Sequence, residues 1–382
     1  MKVLFVNLFS FCFLYKKTLL LLYKQNDVKM GFQNIHIQNF RSIKDLKIDG
    51  FKQINLFAGK NNDGKTTILE SIFVLAGATN PELSLSINGL RDYEKMREDD
   101  FIILFHNLNH KRNIILNGIE NNGQKRNLNI SPIYKNTIKQ NIHSSSLNRA
   151  IKGLLNTFEV ENKERSLIFD TEIIVSHENS NIHIDTDEVD EKGYIENLEA
   201  IFLSSSIQLE SVAERLNSII LNKEKKDIVA IIQKLDSSIG DLYIDDDIIY
   251  IDTGLQRFIP IHVAGDGLKR LLSIITAIYN AKNGIILIDE VDNGLHFSVQ
   301  QLLWKAIIAA AKQFNVQIFA TTHSIECLAA LNTAAQTFKQ NKNIIDDEIR
   351  YFRIERNNDT HKIYTYEQEI FKLAMEKNWE VR

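Results

Sequence analysis

Apolar and polar positions alternate over Ile35-His36-Ile37-Gln38-Asn39-Phe40, the two-residue period of a strand with one buried face. Leu46-Lys47-Ile48 continues the pattern, so an antiparallel strand pair is expected at the start of the domain. Ile54-Asn55-Leu56-Phe57-Ala58 reads as a more continuously apolar strand. The period then changes. Over 67–76, Ile68, Leu69, Ile72, Phe73 and Leu75 fall at helical spacing. Residues 101–105 fit either a short helix or a strand, and Ile114-Ile115-Leu116 reads as a strand. From about 118 to 199 the pattern is irregular and polar, with Ser144-Ser145-Ser146 and an acidic stretch over 185–191. This region is expected to be inserted β-rich and helical material within one domain.

Regular patterning returns at Ala200-Ile201-Phe202-Leu203-Ser204, a strand. One helical stretch is expected over roughly 207–237, with Leu209, Val212, Leu216, Ile219 and Ile220 on one side, followed by short strands near Leu242-Tyr243 and over 248–251. Leu268, Leu271, Leu272, Ile275 and Ile278 mark a helix after Gly265-Asp266-Gly267. Ile285-Ile286-Leu287-Ile288 is the unbroken aliphatic run of a strand covered on both faces of a parallel sheet. A helix over 299–312 and a strand from Val316 complete the alternation. There is no internal repeat, and no heptad run lasts long enough for a coiled-coil arm.

The chain has 382 residues, is 44% hydrophobic and carries a formal net charge of -4, which fits a globular core and gives no overall attraction to nucleic acid. Two cysteines, Cys12 and Cys327, exclude a disulfide framework or a cysteine-based zinc site and suit a reducing cytoplasm. Only three prolines argue against a low-complexity linker. Residues 3–15 and 19–23 are apolar but interrupted by Lys16-Lys17, and neither run reaches the roughly 18–20 residues of a membrane span. Residues 1–29 are therefore expected to be an extension outside the fold, with a domain over 30–382. A membrane- or partner-contacting segment and a packed structural helix are the alternatives.

Against this pattern one loop stands out. Gly59-Lys60-Asn61-Asn62-Asp63-Gly64-Lys65-Thr66 fits G-x-x-x-x-G-K-(S/T), between a strand and a helix. Gly59 and Gly64 let the backbone bend so that successive amides face a phosphate, at a helix N-terminus that favours anions. Lys65 can reach the β- and γ-phosphates, Thr66 can ligate Mg²⁺, and Thr67 follows as a further contact. The protein is expected to bind nucleotide. The aliphatic strand ends in Asp289-Glu290, placing two carboxylates at a sheet's C-terminal edge: Asp289 as a Mg²⁺ partner and Glu290 as the base that polarises water. His323, one helix later at the end of the next strand, is placed to sense the γ-phosphate. For Gly265-Asp266-Gly267 two readings stand: Asp266 as a helix N-cap, or free amides near Gly267 binding a γ-phosphate held by another subunit. His177, His183 and Asp185 are read as polar positions of an exposed strand, and Lys223, Lys225 and Lys226 as a solvated helix face. His106 and His110 beside Lys111-Arg112 stay undecided.

The order Asn39-Phe40-Arg41-Ser42, the 59–66 loop, Gly265-Asp266-Gly267, Asp289-Glu290 with Gly294-Leu295-His296, and Thr322-His323-Ser324 resembles ABC-type ATPases of the OLD, RecF and SMC-like branch. The resemblance covers roughly 30–382. It implies an α/β P-loop NTPase fold, with an ABC-like mixed sheet, flanking antiparallel strands and an inserted region. It also implies ATP and Mg²⁺ as ligands and a homodimer or higher oligomer that sandwiches ATP. Lys65 and Thr66 would hold phosphate and metal, Asp289 the metal, Glu290 would be the base and His323 the switch histidine. Asp63 stands where Ser is usual, Asp266 departs from the stricter signature, and Gln208 is a poor Q-loop candidate. Relatives often carry a C-terminal TOPRIM nuclease, but the stretch after His323 is too short for one and Asp346-Asp347-Glu348 alone does not supply its acidic site. The expected role is therefore an ATP-driven switch in phage defence or DNA repair, with a separate effector, possible DNA binding and no membrane partner. An SMC-like DNA bridge and a transporter ATPase are the alternatives.

Overall fold

The computed structural model describes residues 31–89, 98–134, 151–162, 165–178, 181–186, 194, 196–234, 236–340, 348–377 and 380–381. The 1–29 extension with Cys12, the serine run at 144–146 and Asp346-Asp347 lie outside the described residues, as does the end of the acidic stretch from 187 on.

The chain opens with a hairpin, β1 (Phe32–Phe40) and β2 (Ile43–Asp49), and then enters β3 (Ile54–Ala58), helix α1 (Lys65–Ala76) and short α2 (Leu83–Gly89). A 3₁₀ turn over Glu98–Leu104 resolves the ambiguous segment in favour of a helix, tied to β1 by a Phe40–Phe105 bridge. Strands β4 (Ile114–Glu120), β5 (Lys125–Tyr134), β6 (Ile151–Glu161), β7 (Ser166–Glu178) and β8 (Asn181–Thr186) then extend the first hairpin into a seven-stranded antiparallel sheet, ordered β2-β1-β4-β5-β6-β7-β8. The expected helical material of this region is absent among its described residues. Each of its strands finds its partner in the next, and β6 alternates buried and half-exposed positions from Leu154 to Glu161.

The second sheet holds the site. Strand β9 (Ala200–Leu203) is followed by α3 (Leu209–Leu221) and α4 (Lys225–Ile232). One continuous helix was expected here, but the chain breaks at Lys223, whose φ of 62° is left-handed. The break lets Lys225 pair with Asp241 at 2.8 Å and lie over the Tyr243 ring, so it is half-buried rather than on a solvated face. A small sheet follows, β10 (Asp241–Asp245), β11 (Ile248–Asp252) and β12 (Ile259–Pro260), and then α5 (Asp266–Asn280), β13 (Ile285–Ile288), α6 (Phe297–Gln313), β14 (Gln317–Thr322), α7 (Ile325–Gln340), β15 (Ile349–Asn357), β16 (Thr360–Glu367) and α8 (Gln368–Glu376). The sheet runs β16-β15-β3-β14-β13-β9, parallel throughout except for β16.

Both faces of this sheet are covered, which explains its unbroken apolar runs. Leu56, Ala58, Ile286, Ile288, Ile318 and Ala320 enter a core shared with α3, α5, α6 and α7. Their neighbours Phe57, Ile285, Leu287 and Phe319 point the other way, into a core shared with α1 and the antiparallel sheet. Helix α1 is thus clamped between the two sheets. Ile68, Leu69, Ile72 and Leu75 are fully buried, as are Glu70 and Ser71, so only Phe73 of the expected apolar face is part-exposed.

Candidate functional site

The parallel strands set the location. β3, β14, β13 and β9 all end at one edge, so the loops after them converge there. The loop after β3 is the 59–66 segment. Gly64, at φ +92°, is the residue before α1, which begins at Lys65, and Asn62 also takes a left-handed φ of 69°. A Cβ at Gly59 would lie 2.7 Å from the Ile354 carbonyl oxygen, so this position needs glycine for room. Asp63 closes the loop on itself by accepting from the Lys60 amide at 2.8 Å. Lys65 Nζ curls inward, donating to the carbonyls of Gly59 (2.9 Å) and Lys60 (2.8 Å). Burial lowers its pKa, against the pull of Asp63, Asp289, Glu290 and Asp292. Asn61 and Asn62 complete the loop, and Thr67 Oγ1 sits 3.2 Å from Ser42 Oγ.

The carboxylates arrive from β13. Thr66 Oγ1 donates to both oxygens of Asp289, each at 3.0 Å, across 223 residues of sequence. Thr321 at the end of β14 adds a 2.6 Å bond to Asp289 and accepts the Glu290 amide at 2.8 Å. Glu290 takes a left-handed φ of 48°, unusual for a residue with a side chain and a form of backbone strain found at functional sites. His323 Nδ1 lies 4.0 Å from Glu290 Oε1, and both side chains are exposed at the rim. Thr322 donates to Asp292 at 2.7 Å, which holds the turn that leads to His296, the N-cap of α6.

Arg270 was not singled out from the sequence, yet it organises this edge. From α5 its guanidinium donates to the carbonyls of Ser204 (2.8 Å), Asp289 (2.6 Å) and Glu290 (2.9 Å). Burial pulls its pKa down to about 10 while Asp289, Asp292 and Glu290 oppose the shift. A charged residue inside the apolar stripe Leu268–Leu272 was the available signal. Thr321 left none, because a threonine at a strand end is unremarkable until the fold places Asp289 beside it.

The structure brings 59–67, 289–290 and 323 together. Gly265, Asp266 and Gly267 lie against the turn after β13: a Cβ at Gly294 would meet Asp266, and one at Gly267 would meet Leu295. The N-cap of α5 is Gly265 without a side-chain cap, and Asp266 instead pairs with Lys269 at 3.1 Å, so the capping role read for Asp266 is corrected. Gln208 precedes α3 and makes no cap. His106 is buried with Nδ1 3.0 Å from the Arg41 carbonyl, and His110 bonds the Tyr134 hydroxyl. His177 and His183 lie on paired strands β7 and β8, and no three-residue metal cluster of His, Cys, Asp or Glu occurs among the described residues.

A glycine-bent loop at a helix N-terminus, a lysine folded into it, and a hydroxyl against a carboxylate on the neighbouring strand define a P-loop nucleotide-hydrolase fold of the ABC, SMC and RecF type. The family described as "AAA domain, putative AbiEii toxin, Type IV TA system" matches residues 54–329, and the chain belongs to it. Among its relatives is an "ATP/GTP phosphatase" of Helicobacter pylori, 29% identical over 343 residues, 78% of this chain and 87% of that protein. A "DNA replication and repair protein RecF" of Lactococcus lactis is 47% identical over only 47 residues, 12% of this chain and 13% of the relative. Among solved structures, an SMC head bound to the C-winged helix domain of ScpA superposes with a TM-score of 0.47 at 12% identity, covering 90% of this chain and 99% of that one. In the described residues no helix is long and apolar enough to cross a membrane.

Proposed function

We propose that the protein is a Mg²⁺-dependent ATPase that works as a nucleotide-sandwich dimer, a switch in phage defence or DNA repair whose effector is encoded separately. The observation that carries the ATPase reading is the contact of Thr66 and Thr321 with Asp289, beside the 59–66 loop and Glu290. The oxygen donors Thr66 and Asp289 suit a hard divalent cation, and they are the residues that would hold Mg²⁺. Bound there, it would neutralise charge on the β- and γ-oxygens of ATP. The loop amides and Lys65 bind and orient the polyphosphate. Glu290, at the rim with its backbone fixed by Thr321 and Arg270, takes a proton from the water that attacks the γ-phosphorus as the bond to the ADP oxygen breaks. His323 stands 4.0 Å from Glu290, where it can hold the water or the γ-phosphate.

The dimer is supported by the start of α5: its N-cap Gly265 has no side-chain cap and a Cβ there would meet nothing within 4 Å, which leaves the helix N-terminus open to a second copy. The biological role is supported by the family's description, "putative AbiEii toxin, Type IV TA system", and by the name of a relative matched over 47 residues, "DNA replication and repair protein RecF". The test is direct. Purified protein should hydrolyse ATP with Mg²⁺ and lose the activity with EDTA. Lys65→Ala should lose ATP binding, whereas Glu290→Gln should bind ATP and stall, with turnover about 10²–10⁴-fold down. Wild-type turnover in Glu290→Gln would show that another group is the base.

A further inference from the structure

A buried imidazole lies under the far flank of the phosphate loop, and the reaction proposed above does not use it. His361, near the start of β16, is only 9% exposed, and neither ring nitrogen has a hydrogen-bond partner. Buried polar atoms are nearly always paired, so a ring with two unpaired nitrogens beside a ligand site points to a partner that arrives with the ligand. The ring edge faces the loop: a Cβ at Gly64 would lie 3.1 Å from His361 Nε2 and 3.2 Å from Ser42 Oγ. Ser42 in turn approaches Thr67 in the first turn of α1. A second buried imidazole, His106, also leaves its Nε2 without a hydrogen bond, with Asp359 at 4.0 Å.

Sheet order gives the bound polyphosphate a direction. On one side of β3 lie β14 and β13, whose ends carry Thr321, Asp289, Glu290 and His323. On the other side lie β15 and β16, whose hairpin carries Asp359 and His361. A nucleoside triphosphate with its γ-phosphate towards Asp289 and Glu290 has its nucleoside towards Ser42, His106 and His361. We propose that His361 is a nucleoside-recognition residue of this site, its imidazole pairing with a ribose hydroxyl of the bound nucleotide. The inference rests on the ATPase reading above.

The protonation state of the ring supports a hydroxyl rather than a phosphate as its partner. The charged and titratable groups facing it are Arg356 on its own hairpin, His106 from the 3₁₀ segment and Asp63 from the loop. Burial first, then Arg356 and His106, hold its pKa below the ordinary value, with Asp63 opposing. The neutral ring offers one donor and one acceptor, the complement of a hydroxyl, which also gives and takes one. Nε2 is the nitrogen on the side of Gly64, and so the one nearest the loop that would hold the polyphosphate.

Binding of Mg²⁺ with ATP, with 2′,3′-dideoxy-ATP and with inorganic tripolyphosphate separates the outcomes. His361→Ala should weaken ATP about tenfold, leave tripolyphosphate unchanged and weaken dideoxy-ATP little further, because the hydroxyls and the imidazole are lost together. His361→Gln keeps a donor and an acceptor and should recover part of the ATP affinity. It also carries the test if His361→Ala does not fold. Equal weakening of ATP and tripolyphosphate would show that the ring only supports the loop and would overturn the proposal, as would unchanged ATP affinity. Wild-type protein that binds neither ATP nor tripolyphosphate would overturn the ATPase reading itself. Wild-type binding of both, with an unaffected variant, would overturn the nucleoside contact alone.

Discussion

At the scale of single residues, the site depends on groups that hold other groups still. Arg270 donates to three carbonyls at the strand ends, two of them those of Asp289 and Glu290. It is 1% exposed, so its bonds to those carbonyls are made away from solvent. Arg270→Met keeps much of the volume and removes the donors. It should cost about 3 kcal/mol in urea unfolding, since hydrogen bonds to charged groups are strong and orphaned buried acceptors are costly. ATP turnover should fall more than ATP affinity, because the loop at 59–66 does not contact Arg270 directly while Glu290 does. An equal fall in both would mean that Arg270 supports the fold and not the base. Lys65, Thr66, Asp289, Glu290 and His323 could be picked out as candidates from the sequence because each lies in a motif that follows an apolar strand, in a fixed order. It concealed Thr321 and His361 because their meaning comes from strands that meet only in the folded sheet. His361 reaches Gly64 across nearly the whole length of the domain.

At the scale of elements, helix α1 is the part on which both sheets act. Its N-terminus faces the phosphate loop, and its C-terminus is held by Arg126 of β5, which donates to the carbonyls of Leu75 (3.1 Å) and Ala76 (2.9 Å). The same guanidinium pairs with Glu120 at 3.1 Å and Glu196 at 2.5 Å and lies over the Phe158 ring. A cation at a helix C-terminus complements the helix dipole and satisfies carbonyls that have no partner within the helix. Alternation disclosed β1, and unbroken apolar runs disclosed β3, β13 and β14, but neither could disclose this tie, because the 118–199 region looked irregular when read one strand at a time. Arg126→Met should destabilise the protein by about 3 kcal/mol at neutral pH, because the buried Glu120 and the part-buried Glu196 would both lose their cation. Burial already raises the Glu120 pKa, with Arg126 pulling it down. A group with a raised folded-state pKa contributes stability at pH below its unfolded value and loses it as pH rises through the folded one. Removing Arg126 raises Glu120 further, so the variant should recover stability as pH falls towards 4.5, the ordinary Glu120 value. A loss that stays constant with pH would mean that the deficit comes from the helix cap and not from the carboxylates.

At the scale of the whole molecule, several large apolar side chains lie exposed in the segments next to the site. Val263 is 72% exposed just before Gly265, Phe297 is 64% exposed just after His296, and Ile325 is 44% exposed two residues past His323. Leu255 and Phe258, in the loop leading into β12, are exposed as well. Isolated apolar residues on a surface need no explanation, but these lie next to the α5 N-terminus, the turn after β13 and the histidine after β14, the segments that the proposed dimer would bring against a second copy. A second copy docking its α5 N-terminus over the first copy's phosphate loop would cover that set and bring backbone amides to the γ-phosphate. Phe297 gives the cleanest test: its ring contacts His296, but it is not in either buried core. In the Glu290→Gln background, Mg²⁺ and ATP should shift the protein from monomer to dimer in analytical ultracentrifugation. Adding Phe297→Asp should weaken that association about tenfold or more, because a carboxylate would have to be desolvated in the interface, while single-site ATP binding stays intact. A dimer of unchanged strength would place the interface elsewhere, and loss of ATP binding by the monomer would mean that Phe297 shapes its own site and not the partner's.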